Sequence, residues 1–129
     1  MAQLKFDPSQ GVVVVSPLLE GERSLKRKTK MVLDTGATYV MISWELAERL
    51  GLKPQKAKKW VNLTTASTVE RSPVVKVKAM TVLGHEAKNV EVAVKNLPKE
   101  AYVDGLLGLS FLKNFDLRIN FKEGFLELS

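Results

Sequence analysis

Met31-Val32-Leu33-Asp34-Thr35-Gly36-Ala37-Thr38-Tyr39-Val40-Met41-Ile42 is the stretch whose reading decides the fold. One apolar run enters it, a polar corner interrupts it and a second apolar run leaves it, as in two buried strands joined at a tight turn. A carboxylate at such a corner is costly unless it is hydrogen-bonded or put to use. Asp and Gly also favour turns for purely conformational reasons, so an ordinary Asx-turn would explain the tetrapeptide taken alone. The motif occurs once in the chain. If Asp34 does acid/base work of the paired-carboxylate kind, its partner must come from a second copy.

Working outward, Ser43 is placed to N-cap a short helix over Trp44 to Leu50. Glu45 and Glu48 lie toward its start, Gly51 follows its end, and Leu46 and Leu50 mark its buried face. Upstream, Gly11 to Val15 is a β-branched run broken by Ser16-Pro17, and Glu20-Gly21-Glu22 reads as a turn region, with a hairpin returning into Lys30 to Leu33. From Trp60 strand signals dominate: Trp60 to Thr65, Val74 to Leu83, a Gly84-His85 turn, then Val90 to Val94. Alternation in Val75-Lys76-Val77-Lys78 puts one face in the core and one in solvent. Near the end, Gly105-Leu106-Leu107-Gly108 is apolar and glycine-bounded, and Ser110 is placed to cap a helical turn through Leu112 to Asn114. Asp116 to Phe121 and Phe125 to Leu128 read as a final hairpin around Lys122-Glu123-Gly124. The expectation is a single all-β domain over residues 1–129 with two short helices.

Composition bounds the function classes. A chain of 129 residues can bury roughly two-thirds of its unfolded surface. With 45% hydrophobic and 26% charged residues it falls outside the disordered class. The net charge of +6 raises the prospect of acidic partners. The clusters Lys26-Arg27-Lys28 with Lys30, and Lys53, Lys56, Lys58 and Lys59, carry no interleaved aromatic platform, however. They read as solvated faces rather than a nucleic-acid site. The absence of Cys excludes disulfides and thiolate chemistry, and one His, His85, excludes a His-rich metal site within one chain. The start, Met1 to Pro8, lacks a signal-peptide pattern and no apolar run approaches a membrane span. The expected location is the cytoplasm.

The order of apolar strand, Asp34-Thr35-Gly36-Ala37, apolar strand ending in Ser43, helix, long β stretch and Gly105-Leu106-Leu107-Gly108 resembles that of the retropepsin-like aspartic proteases. The resemblance is to the bacterial single-domain members and runs from about Gly11 to Ser129. Val32 to Ala37 matches the family's catalytic motif, and Gly105-Leu106-Leu107-Gly108-Leu109-Ser110-Phe111-Leu112 its second apolar-Gly segment.

That resemblance implies an acid-protease closed barrel with one lobe per chain, paired as a homodimer. Two Asp34 carboxylates would face each other across a two-fold axis at the floor of a substrate cleft. Carboxylates that close share one proton, as is established for aspartic protease dyads, and the proton belongs to the pair. Thr35 would hydrogen-bond across the dimer beneath the carboxylates. Gly36 would allow close backbone approach, and its amide and the backbone near Ala37 would support the carboxylates and bind extended peptide. The terminal segments, including Phe125 to Leu128, would contribute to an intersubunit sheet. Peptide or protein is the implied substrate, and no metal or organic cofactor is implied.

Leu63-Thr64-Thr65-Ala66-Ser67-Thr68-Val69-Glu70 falls where the family carries its flap, placing Thr65, Ala66, Ser67 and Thr68 at the substrate-binding tip. Family flaps usually have Gly near the tip, and this segment has none. A catalytically weak or inactive dimeric peptide-binding scaffold of the same fold therefore stands beside the endopeptidase reading, as does an ordinary edge hairpin for the segment itself. Gly108-Leu109-Ser110-Phe111-Leu112 starts like a nucleophile elbow but lacks its closing Gly. Asn62-Leu63-Thr64 is formally a glycosylation sequon that reads better as strand. His85 reads as a turn residue, and Trp44 and Trp60 as packing residues.

Overall fold

The computed structural model of the chain describes residues 2–64 and 67–129. In chain order these form β1 (Gln3–Lys5), β2 (Val14–Val15), β3 (Leu18–Glu20), β4 (Lys26–Lys28), β5 (Met31–Leu33) and β6 (Val40–Ile42), then helix α1 (Trp44–Arg49). There follow β7 (Lys59–Thr64), β8 (Val69–Val82), β9 (His85–Val94), β10 (Gly105–Leu107), helix α2 (Leu109–Leu112), β11 (Leu117–Asn120) and β12 (Phe125–Leu128). Among the described residues no helix is long and apolar enough to cross a membrane.

The larger sheet runs β2-β5-β10-β6-β9-β8-β3-β4, with β7 attached to β8, and a smaller one runs β1-β12-β11. The position of β10 organises the molecule. It lies parallel to β5, with Leu106 beside Val32, and antiparallel to β6, with Leu106 beside Met41. A strand from late in the sequence thus fills the gap between the two strands that flank Asp34. That insertion demands glycine at both ends of β10: a Cβ on Gly105 would collide with the Met41 carbonyl oxygen, and one on Gly108 with that of Tyr39. The alternating side chains of β5, β6, β8 and β9 meet helix α2 in the core, where Met31, Ile42, Val77, Val92, Leu107 and Phe111 are essentially inaccessible to water.

Helix α1 forms as its sequence dictates. The Ser43 hydroxyl accepts from the Leu46 amide at 3.1 Å, Leu46 and Leu50 are buried, and Gly51 takes φ +70° past the end. The final hairpin also lies where expected, and β1 adds to its β12 edge with Leu4 opposite Leu126.

Several expectations need correction. β2 does return to β5, with Val14 opposite Val32, but an unanticipated hairpin of β3 and β4 is inserted between them. Two and three residues are too few for alternation to show. β8 begins at Val69 rather than Val74. Pro73 breaks the sequence signal, yet it lies just before the β8–β9 ladder, which starts at Val74, where a missing amide is tolerated. β9 begins at His85 rather than Val90, because the turn is Leu83-Gly84, with φ of +50° and +78° at its two central residues and Val82 paired with His85. His85 is therefore a strand residue, its ring edge-on to Phe115 at 5.6 Å. Ser110 caps nothing. Helix α2 leaves β10 directly with Gly108 as its N-cap, and the buried Ser110 hydroxyl accepts from the Val40 amide at 2.8 Å and donates to the Glu91 carbonyl at 2.7 Å. It pins α2 to the start of the parallel β6–β9 pair.

Candidate active site

The corner between β5 and β6 is held from below by the late segment. The Asp34 amide donates to the Leu107 carbonyl at 3.0 Å, and the Leu109 amide donates to the Ala37 carbonyl at 2.8 Å. Within the corner, the Ala37 amide donates to the Asp34 carbonyl at 3.2 Å and the Gly36 amide donates to Asp34 Oδ1 at 3.0 Å. This last bond is an Asx-turn, so the conformational reading and the functional one describe the same contact. A Cβ on Gly36 would lie 3.3 Å from Asp34 Oδ1, tighter than side chains ordinarily pack. Glycine there lets the amide meet the carboxylate closely. Asp34 is half-buried while Thr35 and Gly36 are exposed, so the carboxylate keeps some contact with water as well as its amide partner.

Asp34, Gly36 and Ala37 form the floor of an open cleft of about 280 Å³. Tyr39, Met41 and Leu106 form one wall, Leu63 and Thr64 reach it from β7, and Lys95 enters from the end of β9. Asp34 is the one carboxylate in this lining among the described residues. Tyr39 is steadied from outside: the Lys59 ammonium stands 5.2 Å from its ring centre and 3.0 Å from Glu91 Oε2. Glu91 first, then the Tyr39 hydroxyl, holds Lys59 above the ordinary lysine range. Among the described residues no three Asp, Glu or His side chains gather where they could hold a metal ion.

Thr35 points away from this cleft. It lines a separate hollow with Val12, Val13, Leu33, Ile119 and Phe121, an apolar surface in which Val12 is 52% and Phe121 63% exposed. Consecutive residues of one turn therefore serve two surfaces, Asp34 the cleft and Thr35 the apolar face.

Of the second segment, Leu106 reaches the cleft, Leu107 is buried in the core, and Gly105 and Gly108 make the close backbone approaches described above. Strands β7 and β8 form a hairpin arm in which Thr64 pairs with Val69. Ser67 and Thr68 lie in the connection at its tip. Thr65 and Ala66, the other two expected tip residues, lie outside the described residues. Trp60 donates its indole N–H to the Ala57 carbonyl at 3.0 Å and carries Arg71 over its ring, and Trp44 opens α1. Sequence reasoning missed Tyr39, Met41 and Lys95 as cleft residues. Tyr39 and Met41 lie two positions apart and so share one face at the start of β6, but nothing local places that face on the cleft, and nothing local singles out Lys95.

Residues 25–114 match the protein family described as gag-polyprotein putative aspartyl protease. Among solved structures, the fold is similar to that of a retropepsin-like aspartic protease from Rickettsia conorii, with a TM-score of 0.72 and 25% sequence identity over 98% of this chain and 87% of that one. No curated protein matches the sequence.

Proposed function

The chain belongs to the gag-polyprotein aspartyl protease family, and from that premise we propose that it acts as a homodimeric aspartic endopeptidase. Two Asp34 carboxylates, one from each copy, sit ~3 Å apart and hold one proton between them. The ionised carboxylate takes a proton from a water as its oxygen attacks the scissile carbonyl carbon, while the protonated one donates to the carbonyl oxygen. The tetrahedral diol then collapses: the C–N bond breaks, the amine leaves with the proton of one carboxylate, the other carboxylate takes the proton of a diol hydroxyl, and a carboxylic acid remains with the dyad again holding one proton. Substrate lies extended in the cleft with its backbone paired to the walls and the β7–β8 arm above it. Thr35 bonds across the dimer axis beneath the carboxylates.

The observation that carries this reading is the Asp34 carboxylate, oriented by the Gly36 amide on the floor of an open cleft that it lines as the lone acid among the described residues. One acid suffices for neither half of the mechanism, and the exposed apolar face beside Thr35 supplies a surface for a second copy to cover. Activity is expected to be highest on the acidic side of neutrality. Digestion of a peptide library read by mass spectrometry, repeated across a dilution series with sedimentation alongside, tests the proposal. New termini whose yield per chain falls as the dimer dissociates support it. Activity that stays constant per chain well below the dimer dissociation constant contradicts it.

The glycine-free segment Leu63 to Glu70 favours a second reading, a peptide-binding dimer that cleaves slowly or not at all. The same digestion separates the two, since a binder protects peptides that a protease would cut.

A further inference from the structure

Lys95 is out of place in the wall of this cleft. Its amide donates to the Ile42 carbonyl at 2.9 Å, which fixes the residue one step beyond the β6–β9 ladder and sends its side chain to the cleft. That side chain is only 14% exposed, against 54% for Lys78 on the outer face of the sheet. The cleft it enters is lined mainly by apolar side chains, Met41, Leu63 and Leu106 among them, with Asp34 on its floor. An ammonium held in such a place needs a carboxylate, because withdrawing an unpaired cation from water is strongly unfavourable.

Glu70 supplies one. Its Oε2 lies 3.4 Å from Lys95 Nζ. Glu70 stands opposite Leu63 in the β7–β8 register, so the two side chains share a face, and Leu63 lines the cleft. The two partners are unequal. Lys95 is anchored and shielded, whereas the Glu70 side chain is 55% exposed and the contact is longer than the roughly 2.7–2.9 Å of a tight charge-assisted bond. Glu70 can be replaced at low cost; Lys95 cannot move to water without leaving the wall.

We propose that Lys95 and Glu70 form a charge-selective subsite at which an acidic side chain of the peptide substrate displaces Glu70 and pairs with the Lys95 ammonium. The inference rests on the reading of this cleft as a peptide-binding site. Bound peptide excludes water from the wall, which strengthens the new pair, while the released Glu70 carboxylate turns to solvent. A neutral side chain of the same shape leaves the Lys95–Glu70 pair in place and gains nothing from it. Because Glu70 belongs to the arm, occupation of the subsite also unties the arm from the wall.

The test uses peptides identical except that each position around the scissile bond is set in turn to Glu, Gln or Leu. Cleavage is measured with the wild-type chain, and affinity with the Asp34→Asn variant in the same dimeric form. At one position Glu should be preferred to Gln by about tenfold in both measurements. Lys95→Met should abolish that preference and favour Leu, Lys95→Arg should keep it, and Glu70→Gln should raise it by removing the competitor. Equal treatment of Glu and Gln at every position, an unchanged preference in Lys95→Met, or a preference lost in Glu70→Gln would each overturn the subsite. A wild-type chain that binds Glu peptides selectively but cleaves none would overturn the hydrolytic reading and leave the subsite standing.

Discussion

The floor of the cleft and the arm above it belong to one sheet, yet they are held by opposite means. At the floor, backbone meets backbone at the limit of approach: β10 is wedged between β5 and β6, Gly105 and Gly108 at its ends admit no side chain, and the corner residues Asp34 and Ala37 are tied by backbone hydrogen bonds to Leu107 and Leu109. In the arm, β7 and the first part of β8, Val69 to Pro73, pair with each other and with no other strand among the described residues, and the residues toward the tip stand in solvent, with Val69 65% exposed. The floor is over-determined and the arm is not. A group that must hold a fixed geometry belongs on the first, and a segment that must open for substrate belongs on the second.

The largest expected effect breaks the chemistry while sparing the floor. Asp34→Asn should lower the rate of peptide hydrolysis by about a hundred- to ten-thousandfold. Its thermal midpoint should stay close to wild type, because an amide oxygen can still accept from Gly36. A rate near wild type, in a preparation free of the parent chain, would end the dyad mechanism. Gly105→Ala tests the floor itself: the added methyl meets the Met41 carbonyl, and denaturant unfolding should show a loss of about 3 kcal/mol. Ser110→Ala strands the Val40 amide and the Glu91 carbonyl in the interior, with an expected loss of about 2 kcal/mol in the same measurement.

The arm should respond differently. Among the described residues no partner reaches the buried Ser72 hydroxyl on β8, so Ser72→Ala should leave stability unchanged or raise it by up to about 1 kcal/mol. Val69→Ser, at the exposed end of the arm, should shift unfolding by less than about 0.5 kcal/mol in either direction. If Val69→Ser proved as damaging as Gly105→Ala, the contrast between a rigid floor and a tolerant arm would fail.

Legibility in the sequence follows the same division. Long alternating runs announced β8 and β9, and a cap, an apolar pair and a terminal glycine announced α1, because those signals are local and repeat along the chain. The short β3 and β4 went unread, since strands of three residues carry too little periodicity. Pro73 and Leu83 misplaced two boundaries, each being a residue whose local preference the surrounding ladder overrides. Ser110 looked like a cap from its neighbours and became an internal tie, because its partners, Val40 and Glu91, come from two other strands.

The candidate site divides likewise. Asp34, Thr35 and Gly36 were legible as a corner because Asp and Gly between two apolar runs mark a turn, and as a candidate site only through the order of the segments around them. By itself the sequence determined the corner, the helix that follows it, and the presence of a later glycine-bounded apolar segment. Only the tertiary structure set that segment between the two strands of the corner and decided which surfaces Asp34 and Thr35 face, and only it brought the Glu70 carboxylate to the Lys95 ammonium. The physical reason is range: turns, caps and alternation are set by neighbours along the chain, whereas the charge in the wall depends on β6, β8 and β9 meeting across the sheet, contacts that no local pattern encodes.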